Sequence, residues 1–316
     1  MLDLSYSLRC VVFHHISATQ SPFTTGMSVT ATPQEFERTL RFLTTHYCPV
    51  RLEDVLTNCD GRGLPSRALL VTFDDAYGSV AEYAAPLCKR LGAPAVFFVN
   101  AAFLDNQRLA PDNLLCYVAN AFGIEVINTA IRTACSDKAT TVGSLSDVFG
   151  IFLPTLTLAE RDAFLEVLRE LAGINERLTA QEAGLYLTAE QLRGLKSFDF
   201  EIGNHTYTHT YFRSLSPQDF ASEIDRNKEE LETISATNVR SFSQPYGSSK
   251  DLTAELRDHL KNSGHRVVFL SESVANPRIP DLFRLDRINS RARNDKTLFL
   301  EIEVLPRLRA IRNQIV

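Results

Sequence analysis

Two adjacent carboxylates follow a long apolar run in the first quarter of the chain. Residues 69–73 (Leu-Leu-Val-Thr-Phe) are rich in β-forming side chains, and Asp74 and Asp75 come directly after them. Such a run predicts a buried strand, and the acids mark its carboxyl end, where α/β sheets and barrels place their sites. A metal on one acid and a proton-transfer role for the other would explain the pair. An Asp that caps a helix after the strand is the simpler alternative.

A pair of histidines follows another predicted strand, at residues 198–202. His205 and His209 are spaced H-x-x-x-H, which places two imidazoles on one face if the segment is helical. The spacing alone is weak evidence, because surface helices produce it by chance. Together with the Asp-Asp pair it supplies one carboxylate and two imidazoles. Such a set leaves coordination positions open, as in catalytic rather than structural zinc sites.

Three motifs in this order resemble those of the polysaccharide deacetylase family, the carbohydrate esterases of family 4 with the NodB-homology domain. Residues 72–75 (Thr-Phe-Asp-Asp) resemble the first motif, with Ala76 where glycine is more usual. Residues 205–209 resemble the second motif and keep both histidines. Residues 243–247 (Ser-Gln-Pro-Tyr-Gly) resemble the third, which commonly has an arginine ahead of Pro-Tyr. The resemblance extends from residue 8 to about residue 289, without most of the segment 104–187.

The resemblance implies an α/β fold, a distorted (β/α) barrel, and metal-dependent deacetylation of a sugar. It makes Asp75, His205 and His209 the metal ligands and Asp74 the general base. It also makes the backbone N–H of Tyr246 a donor to the oxyanion, although residues 245–247 alone would suggest a plain turn. The donor set favours zinc, while cobalt, nickel, manganese or iron would also fit.

The leaving amine needs a general acid, and His14 is the candidate. Residues 11–16 (Val-Val-Phe-His-His-Ile) resemble the strand-end motif of the subgroup that deacetylates poly-N-acetylglucosamine, in which an N-terminal histidine has this role. His15 would then be a solvated neighbour or a substrate contact. After His265, which precedes a strand, no further histidine is available. The alternative is two hydrophilic residues that close a strand.

The third motif lacks the arginine that would keep Asp74 ionised and oriented. Arg287, near the end of the last predicted strand, is a candidate replacement; a surface ion pair with Asp286 is equally compatible with the sequence. The chain has no tryptophan, which the family often uses to line the acetyl pocket. Candidates to replace it are Tyr207, Tyr246 and Leu270.

Alternating strands and helices would position these residues. Strands are predicted at 8–13, 69–73, 95–99, 198–202, 239–242 and 267–270, with extended pieces at 50–52 and 283–288. Helices are predicted from residue 33, at 53–56, at 79–91 with Tyr83 on the buried face, and at 217–234, 252–262 and 296–312. The strand–helix–strand succession predicts a parallel sheet. We expect a single domain, 1–316, with a helical insertion at about 104–187 that either covers the site or serves as scaffold.

Composition narrows the class of protein. The chain of 316 residues carries a net charge of -5, which argues against a nucleic-acid partner. No stretch has the apolar length of a transmembrane segment, and residues 1–5 do not resemble a signal peptide. Six scattered cysteines without a C-x-x-C pair indicate reduced thiols. We therefore expect a cytoplasmic protein, a secreted protein with a trimmed signal peptide being the alternative; no oligomeric state is indicated.

The Asp-Asp pair, the histidine pair and the family resemblance together predict a metal-dependent hydrolase acting on C–N bonds other than peptide bonds. Its substrate would be an N-acetylated amino sugar in a saccharide or glycan intermediate. One alternative is a hydrolase of a non-sugar, cyclic amide on the same fold. Another is a non-catalytic carbohydrate-binding protein, against which the intact Asp-Asp and histidine pairs argue, since binding alone does not need a base beside a metal.

Overall fold

A curved sheet in which every strand pairing is parallel forms the centre of the molecule. It is described here from a computed structural model that covers residues 8–58, 63–138, 140–196, 198, 200–277, 280–290 and 294–315. In chain order the strands are β1 (Arg9–Phe13), β2 (His15–Ile16), β3 (Thr30–Ala31), β4 (Cys48–Pro49), β5 (Ala68–Phe73), β6 (Ala95–Val99), β7 (Glu201–Asn204), β8 (Ser241–Ser243), β9 (Val267–Leu270), β10 (Leu285–Asp286) and β11 (Ile288–Asn289).

The two ends of the sheet meet in one short segment, 285–289. The strand order is β10-β9-β8-β7-β6-β5-β1-β11, with β4 beside β5 and a separate pair formed by β2 and β3. Strand β10 pairs with β9, and β11 pairs with β1. Since only Arg287 separates β10 from β11, this segment nearly closes the sheet into a barrel. The predicted distorted (β/α) barrel is confirmed.

Helices surround the sheet and connect its strands. They are α1 (Pro33–His46), α2 (Leu52–Thr57), α3 (Ala85–Arg90), α4 (Pro111–Phe122), α5 (Ile124–Ala134), α6 (Leu145–Asp147), α7 (Leu158–Ala172), α8 (Glu176–Ala183), α9 (Ala189–Lys196), α10 (Arg226–Ser235), α11 (Ala254–Asn262), α12 (Asp295–Phe299) and α13 (Leu305–Ile315). π-helical turns occur at Val80–Ala84, Val148–Phe152, Ala221–Asp225 and Leu300–Val304. Shorter 3-10 segments are Ala101–Asn106, Ser136–Lys138, Leu153–Thr155, Phe212–Ser214, Pro217–Asp219, Ser249–Asp251 and Leu282–Arg284.

Helix α1 begins as its sequence predicts. Thr32 is the N-cap: its hydroxyl accepts from the Glu35 amide at 3.2 Å, and the Glu35 carboxylate accepts from the Thr32 amide at 2.9 Å. Pro33 occupies the first turn, where its missing N–H costs nothing. Phe36 and Leu40 then lie on the buried face, so this helix packs on the sheet as its periodicity predicts.

Some predicted boundaries and faces are wrong. Tyr83 is 46% exposed rather than buried, because the π-helical turn at Val80–Ala84 breaks the spacing of a regular α-helix. The extended piece predicted at 50–52 is instead β4 at Cys48–Pro49, and Leu52 already begins α2. The strands predicted to begin at residues 198 and 239 begin two or more residues further along the chain, at Glu201 and Ser241.

Helices α4 to α8 lie between β6 and β7, in the segment for which the sequence predicts a helical insertion. They pack around an apolar cluster that includes Leu115, Phe152 and Phe164. Tyr77, from the loop after β5, stacks on Tyr186 at 6.0 Å between ring centroids and belongs to the same cluster. The helical segment is therefore packed against the carboxyl end of β5, beside the Asp-Asp pair.

The C-terminal helices are joined to the first strand by a buried ion pair. The Arg9 guanidinium donates two hydrogen bonds of 2.8 Å to the Glu303 carboxylate, which also accepts from the Tyr47 hydroxyl at 2.7 Å. Among the described residues no helix is long and apolar enough to cross a bilayer. The described cysteines are free thiols, as predicted; Cys59 lies outside the described residues.

We expect Glu303→Gln to lower the free energy of unfolding by about 3–5 kcal/mol, because it removes the buried negative charge that pairs with Arg9 and with Arg307. Urea unfolding would measure the loss. Glu37→Gln is the matched control: Glu37 pairs with Arg41 on the exposed surface, so about 1 kcal/mol or less should be lost. Equal losses in both variants would contradict this account.

Candidate active site

The carboxyl ends of the parallel strands bring the predicted residues to one cavity of about 560 Å³. His14 follows β1, Asp74 and Asp75 follow β5, and His205 follows β7. Since parallel strands end on the same face of a barrel, residues far apart in sequence meet there. The side chains used below line this cavity: His14, Asp74, Asp75, Asp112, Phe149, His205, His209, Tyr211 and Tyr246.

Asp75, His205 and His209 form a compact group of potential metal ligands. One ligand atom from each residue lies within 4.8 Å of the others. Asp75 Oδ1 is 3.3 Å from Nε2 of His205 and 3.3 Å from Nε2 of His209. This oxygen is buried and has no hydrogen-bond partner. A buried carboxylate oxygen facing two ring nitrogens fits a divalent cation.

The Nδ1 atom of each histidine lies within hydrogen-bonding distance of another residue. Nδ1 of His205 lies 2.8 Å from the Ser243 carbonyl oxygen, and Nδ1 of His209 lies 3.0 Å from Oδ2 of Asp112. Such contacts fix the tautomer and leave Nε2 free for a cation. Asp112 was not among the predicted site residues, because Pro111 and Asp112 at a helix start are ordinary helix-initiating residues.

The histidine pair does not lie on a helix, contrary to the assumption behind the H-x-x-x-H argument. The segment is a loop in which Thr206 has φ 62° and His209 has φ 51°. Its backbone is held by Asn100, whose side-chain amide donates to the Thr206 carbonyl at 2.9 Å and also to the His205 carbonyl. Buried Arg161, from α7, donates to the Thr208 hydroxyl at 2.9 Å. The two imidazoles therefore meet because the loop turns back on itself.

The acids are on a turn with unusual backbone geometry. Asp75 has φ 71° and Ala76 has φ 56°, which is the left-handed region that costs a non-glycine residue about 1–2 kcal/mol. The positive φ of Ala76 explains why glycine is more usual at this position of the motif.

Asp74 is paired with Arg287, and Nε2 of His205 lies further away, 3.8 Å from Oδ2 of Asp74. The guanidinium donates Nη1 to Oδ1 at 2.6 Å and Nη2 to Oδ2 at 2.7 Å. Arg287 is fully buried, and its Nη2 also donates to Ser243 Oγ at 2.7 Å and Ser271 Oγ at 2.9 Å. The alternative of a surface ion pair with Asp286 is therefore wrong. Arg287 lies where the missing arginine of the third motif would be needed.

The charges of the site follow from these contacts. Burial would raise the pKa of Asp74, but the adjacent Arg287 outweighs it and holds that pKa below its ordinary value. Burial would likewise raise the pKa of Asp75, but His209 and His205 lower it. Burial would lower the pKa of His209, yet Asp75 and Asp112 raise it to about 9. Without a cation, a proton on His209 thus balances part of the negative charge.

His14 and His15 have different surroundings. His14 lines the cavity beside Asp74 and Asp75; burial lowers its pKa, while these two negative charges oppose the shift. His15 is buried, its Nδ1 lies 3.0 Å from Thr30 Oγ1, and burial lowers its pKa to about 4. His15 is therefore not the solvated neighbour that the sequence suggested.

Tyr246 is held in a tight turn at the rim of the site. It has φ 59°, and a Cβ on Gly247 would lie only 2.4 Å from the Ser271 amide, so that position requires glycine. The Tyr246 hydroxyl donates to Oδ1 of Asp112 at 2.6 Å, and its ring stacks on Tyr211 at 3.5 Å.

Of the residues considered in place of tryptophan, only Tyr246 lines the cavity. The Tyr207 ring lies beneath Arg226, 3.8 Å from its guanidinium carbon, and Leu270 is in the core. Tyr211 and Phe149 supply the other aromatic walls, and no sequence motif marked them.

Part of the chain matches a known protein family. Residues 151–268 match the model of a family described as polysaccharide deacetylase. This segment is similar to the polysaccharide deacetylase family. It contains the motifs at 205–209 and 243–247 and thus confirms that resemblance; the motif at 72–75 lies before it. No curated protein matches the chain.

Solved structures related to this family share the fold. The Streptococcus pyogenes deacetylase PplD in complex with acetate is 14% identical, covers 95% of this chain and 99% of its own, and has a TM-score of 0.62. IcaB from Ammonifex degensii is 17% identical over 95% and 98%, with a TM-score of 0.59. A de-N-acetylase from Aggregatibacter actinomycetemcomitans is 14% identical over 93% and 99%, with a TM-score of 0.58. At these identities the likeness concerns the fold.

The raised pKa of His209 makes the stability of the metal-free protein depend on pH. The stability that protonated His209 contributes is complete below its ordinary pKa of 6.5 and is lost as pH rises through about 9. Urea unfolding in a chelator between pH 6 and pH 10 would measure this decline, and His209→Gln should flatten it. The same decline in both proteins would show that another group is responsible.

Proposed function

We propose that this protein is a metal-dependent deacetylase that hydrolyses the N-acetyl group of an amino sugar in a saccharide. The observation that carries the proposal is the division between two neighbouring carboxylates. Asp74 is fully engaged by Arg287, whereas Asp75 Oδ1 is buried without a partner and faces two imidazole nitrogens. A site for binding alone would not need an ionised base beside a set of cation ligands.

Charge supports a divalent cation at this position. The cavity is lined by the carboxylates of Asp74, Asp75 and Asp112, and no lysine or arginine is among its described lining residues. Arg287 neutralises the negative charge of Asp74. The charges of Asp75 and Asp112 remain to balance a divalent cation held by Asp75, His205 and His209. We propose zinc, because one carboxylate and two imidazoles suit it; cobalt, nickel, manganese or iron would also fit.

The side chains around this position are arranged for amide hydrolysis. A cation bound there would polarise the acetyl carbonyl and lower the pKa of a water molecule. Asp74, kept ionised by Arg287, accepts a proton from the attacking water. The tetrahedral oxyanion needs a further donor, and the backbone N–H of Tyr246 is assigned that part.

His14 is the group proposed to protonate the departing amine. It lines the same cavity from the end of β1, on a different strand from the base. Burial lowers its pKa, which makes the protonated ring a stronger acid, while the charges of Asp75 and Asp74 favour that protonated form. These opposing effects on the pKa of His14 suit a group that must give up a proton during each turnover.

The substrate class rests on the family and on the shape of the site. The matched family is described as polysaccharide deacetylase, and a cavity of about 560 Å³ lies within the usual range for pockets that hold a small ligand. Aromatic rings of Tyr211, Tyr246 and Phe149 in its wall suit the apolar acetyl methyl. Release of acetate from N-acetylated oligosaccharides, compared with turnover of cyclic amides, would test the substrate class.

Two substitutions separate the base from the ligands. Asp74→Asn should keep bound zinc but lose about 100-fold or more in kcat, because it removes the proton acceptor and leaves the proposed ligands in place. His205→Ala should lose both zinc and activity. Metal analysis and acetate release would be measured on the same preparations. Unchanged turnover in either variant would refute the assignment, and a metal-free, chelator-insensitive wild type would favour binding only.

Arg287 should set the acid limb of the pH–rate profile. In Arg287→Gln the pKa of Asp74 rises, because the cation that favours the carboxylate is gone. Asp74 then becomes protonated at higher pH, and the fall of kcat/KM on the acid side moves towards neutrality.

Arg287→Lys, which keeps the charge but not the paired geometry, should shift the profile less. Both variants would be assayed from pH 5 to pH 9 at saturating zinc. An acid limb that stays in place in both would show that Arg287 does not act on the base.

A further inference from the structure

Asp112 makes two contacts that connect otherwise separate parts of the site. Its Oδ2 lies 3.0 Å from Nδ1 of His209, and its Oδ1 accepts from the Tyr246 hydroxyl at 2.6 Å. The residue is 8% exposed. Because each carboxylate oxygen contacts a different donor, Asp112 needs both oxygens to make the two contacts.

The position of Asp112 is fixed by its neighbours in the helical segment. The adjacent Asn113 side chain donates to the Tyr77 hydroxyl at 2.9 Å and accepts from the Tyr186 hydroxyl at 2.6 Å. It also donates to the Phe23 carbonyl at 2.9 Å. These bonds anchor the first turn of α4 to the loop after β5, so the Asp112 carboxylate is held rather than free to follow its partners.

The same helical segment contacts this face of the barrel at two more points. Tyr211, which stacks on Tyr246, donates its hydroxyl to the Phe149 carbonyl at 2.5 Å. Arg161 donates to the Thr208 hydroxyl next to His209. Three residues of the helical segment, one in α4, one in the π-helical turn Val148–Phe152 and one in α7, therefore make four contacts with the loop 205–211 and the turn 244–247.

We propose that Asp112 is a positioning residue that couples the cation ligand His209 to the oxyanion-binding turn at Tyr246. This inference rests on the proposed function. By accepting the Nδ1 proton of His209, Asp112 keeps Nε2 directed at the cation position. By accepting from the Tyr246 hydroxyl, it holds the turn whose backbone N–H is proposed to donate to the oxyanion. The helical segment thus supplies part of the site rather than serving only as scaffold.

A purely structural role makes a different prediction. An acid in the first turn of a helix stabilises that helix through its dipole. If that were its whole role, substitution would lower thermal stability and leave the zinc affinity unchanged. Zinc affinity of the metal-free protein, measured without substrate, therefore separates the two roles.

The test compares Asp112→Asn and Asp112→Ala with wild type in a competition titration of Zn²⁺ against a chromophoric chelator. We expect a loss of about 10–100-fold in zinc affinity, since Asn keeps the size of the side chain but only one acceptor oxygen. At saturating zinc, kcat should also fall while KM changes little. Asn, being of the same size, decides the question where Ala folds poorly.

Two further variants serve as controls. Tyr246→Phe removes one of the two contacts and should bind zinc as wild type does while kcat falls. Glu166→Gln, in helix α7 with its exposed carboxylate paired to Arg169, should leave both zinc affinity and kcat unchanged. Wild-type zinc affinity in Asp112→Asn overturns the inference alone. Absence of zinc binding by wild type overturns the proposed metal centre, and the inference with it.

Discussion

The buried ion pair between Arg287 and Asp74 connects the closure of the barrel to its site. Segment 285–289 pairs with β9 on one side and β1 on the other, and Arg287 is the residue at which it changes partner. Its guanidinium points to the end of β5 and is saturated by Asp74, Ser243 and Ser271. A charge buried this deeply is tolerated only when paired. The residue at which the barrel closes therefore also holds the pKa of Asp74 below its ordinary value.

That pairing is what distinguishes two adjacent carboxylates. Both oxygens of Asp74 accept from Arg287, which holds the pKa of Asp74 below its ordinary value. Asp75, one residue further on at a positive φ, points its Oδ1 at Nε2 of His205 and His209. The opposite charge for Asp75 must come from elsewhere, and in the metal-free protein a proton on His209 supplies part of it. The chemistry assigned to the site follows from this asymmetry.

The helical segment between β6 and β7 makes up one wall of the cavity. Asp112 contacts a ligand histidine, and Phe149 lines the pocket next to the tyrosine stack. The sequence left two interpretations of this segment open, a cover over the site or a scaffold. Its contacts with His209 and Tyr246 support the third role proposed above, in which Asp112 positions a ligand of the site.

The sequence by itself determined the order of most strands and helices and indicated the candidate reacting groups. Apolar runs that end in Asp74-Asp75, His14 and His205 predicted parallel strands whose carboxyl ends carry chemistry, because a buried strand cannot contain such side chains. The tertiary structure alone decided how the groups meet. The histidine pair depends on a loop with positive φ at Thr206 and His209, not on helical periodicity. Asp74 is more than 200 residues from Arg287 in sequence, and His209 and Tyr246 are more than 90 residues from Asp112. No local pattern encodes contacts that only barrel closure and helix packing create.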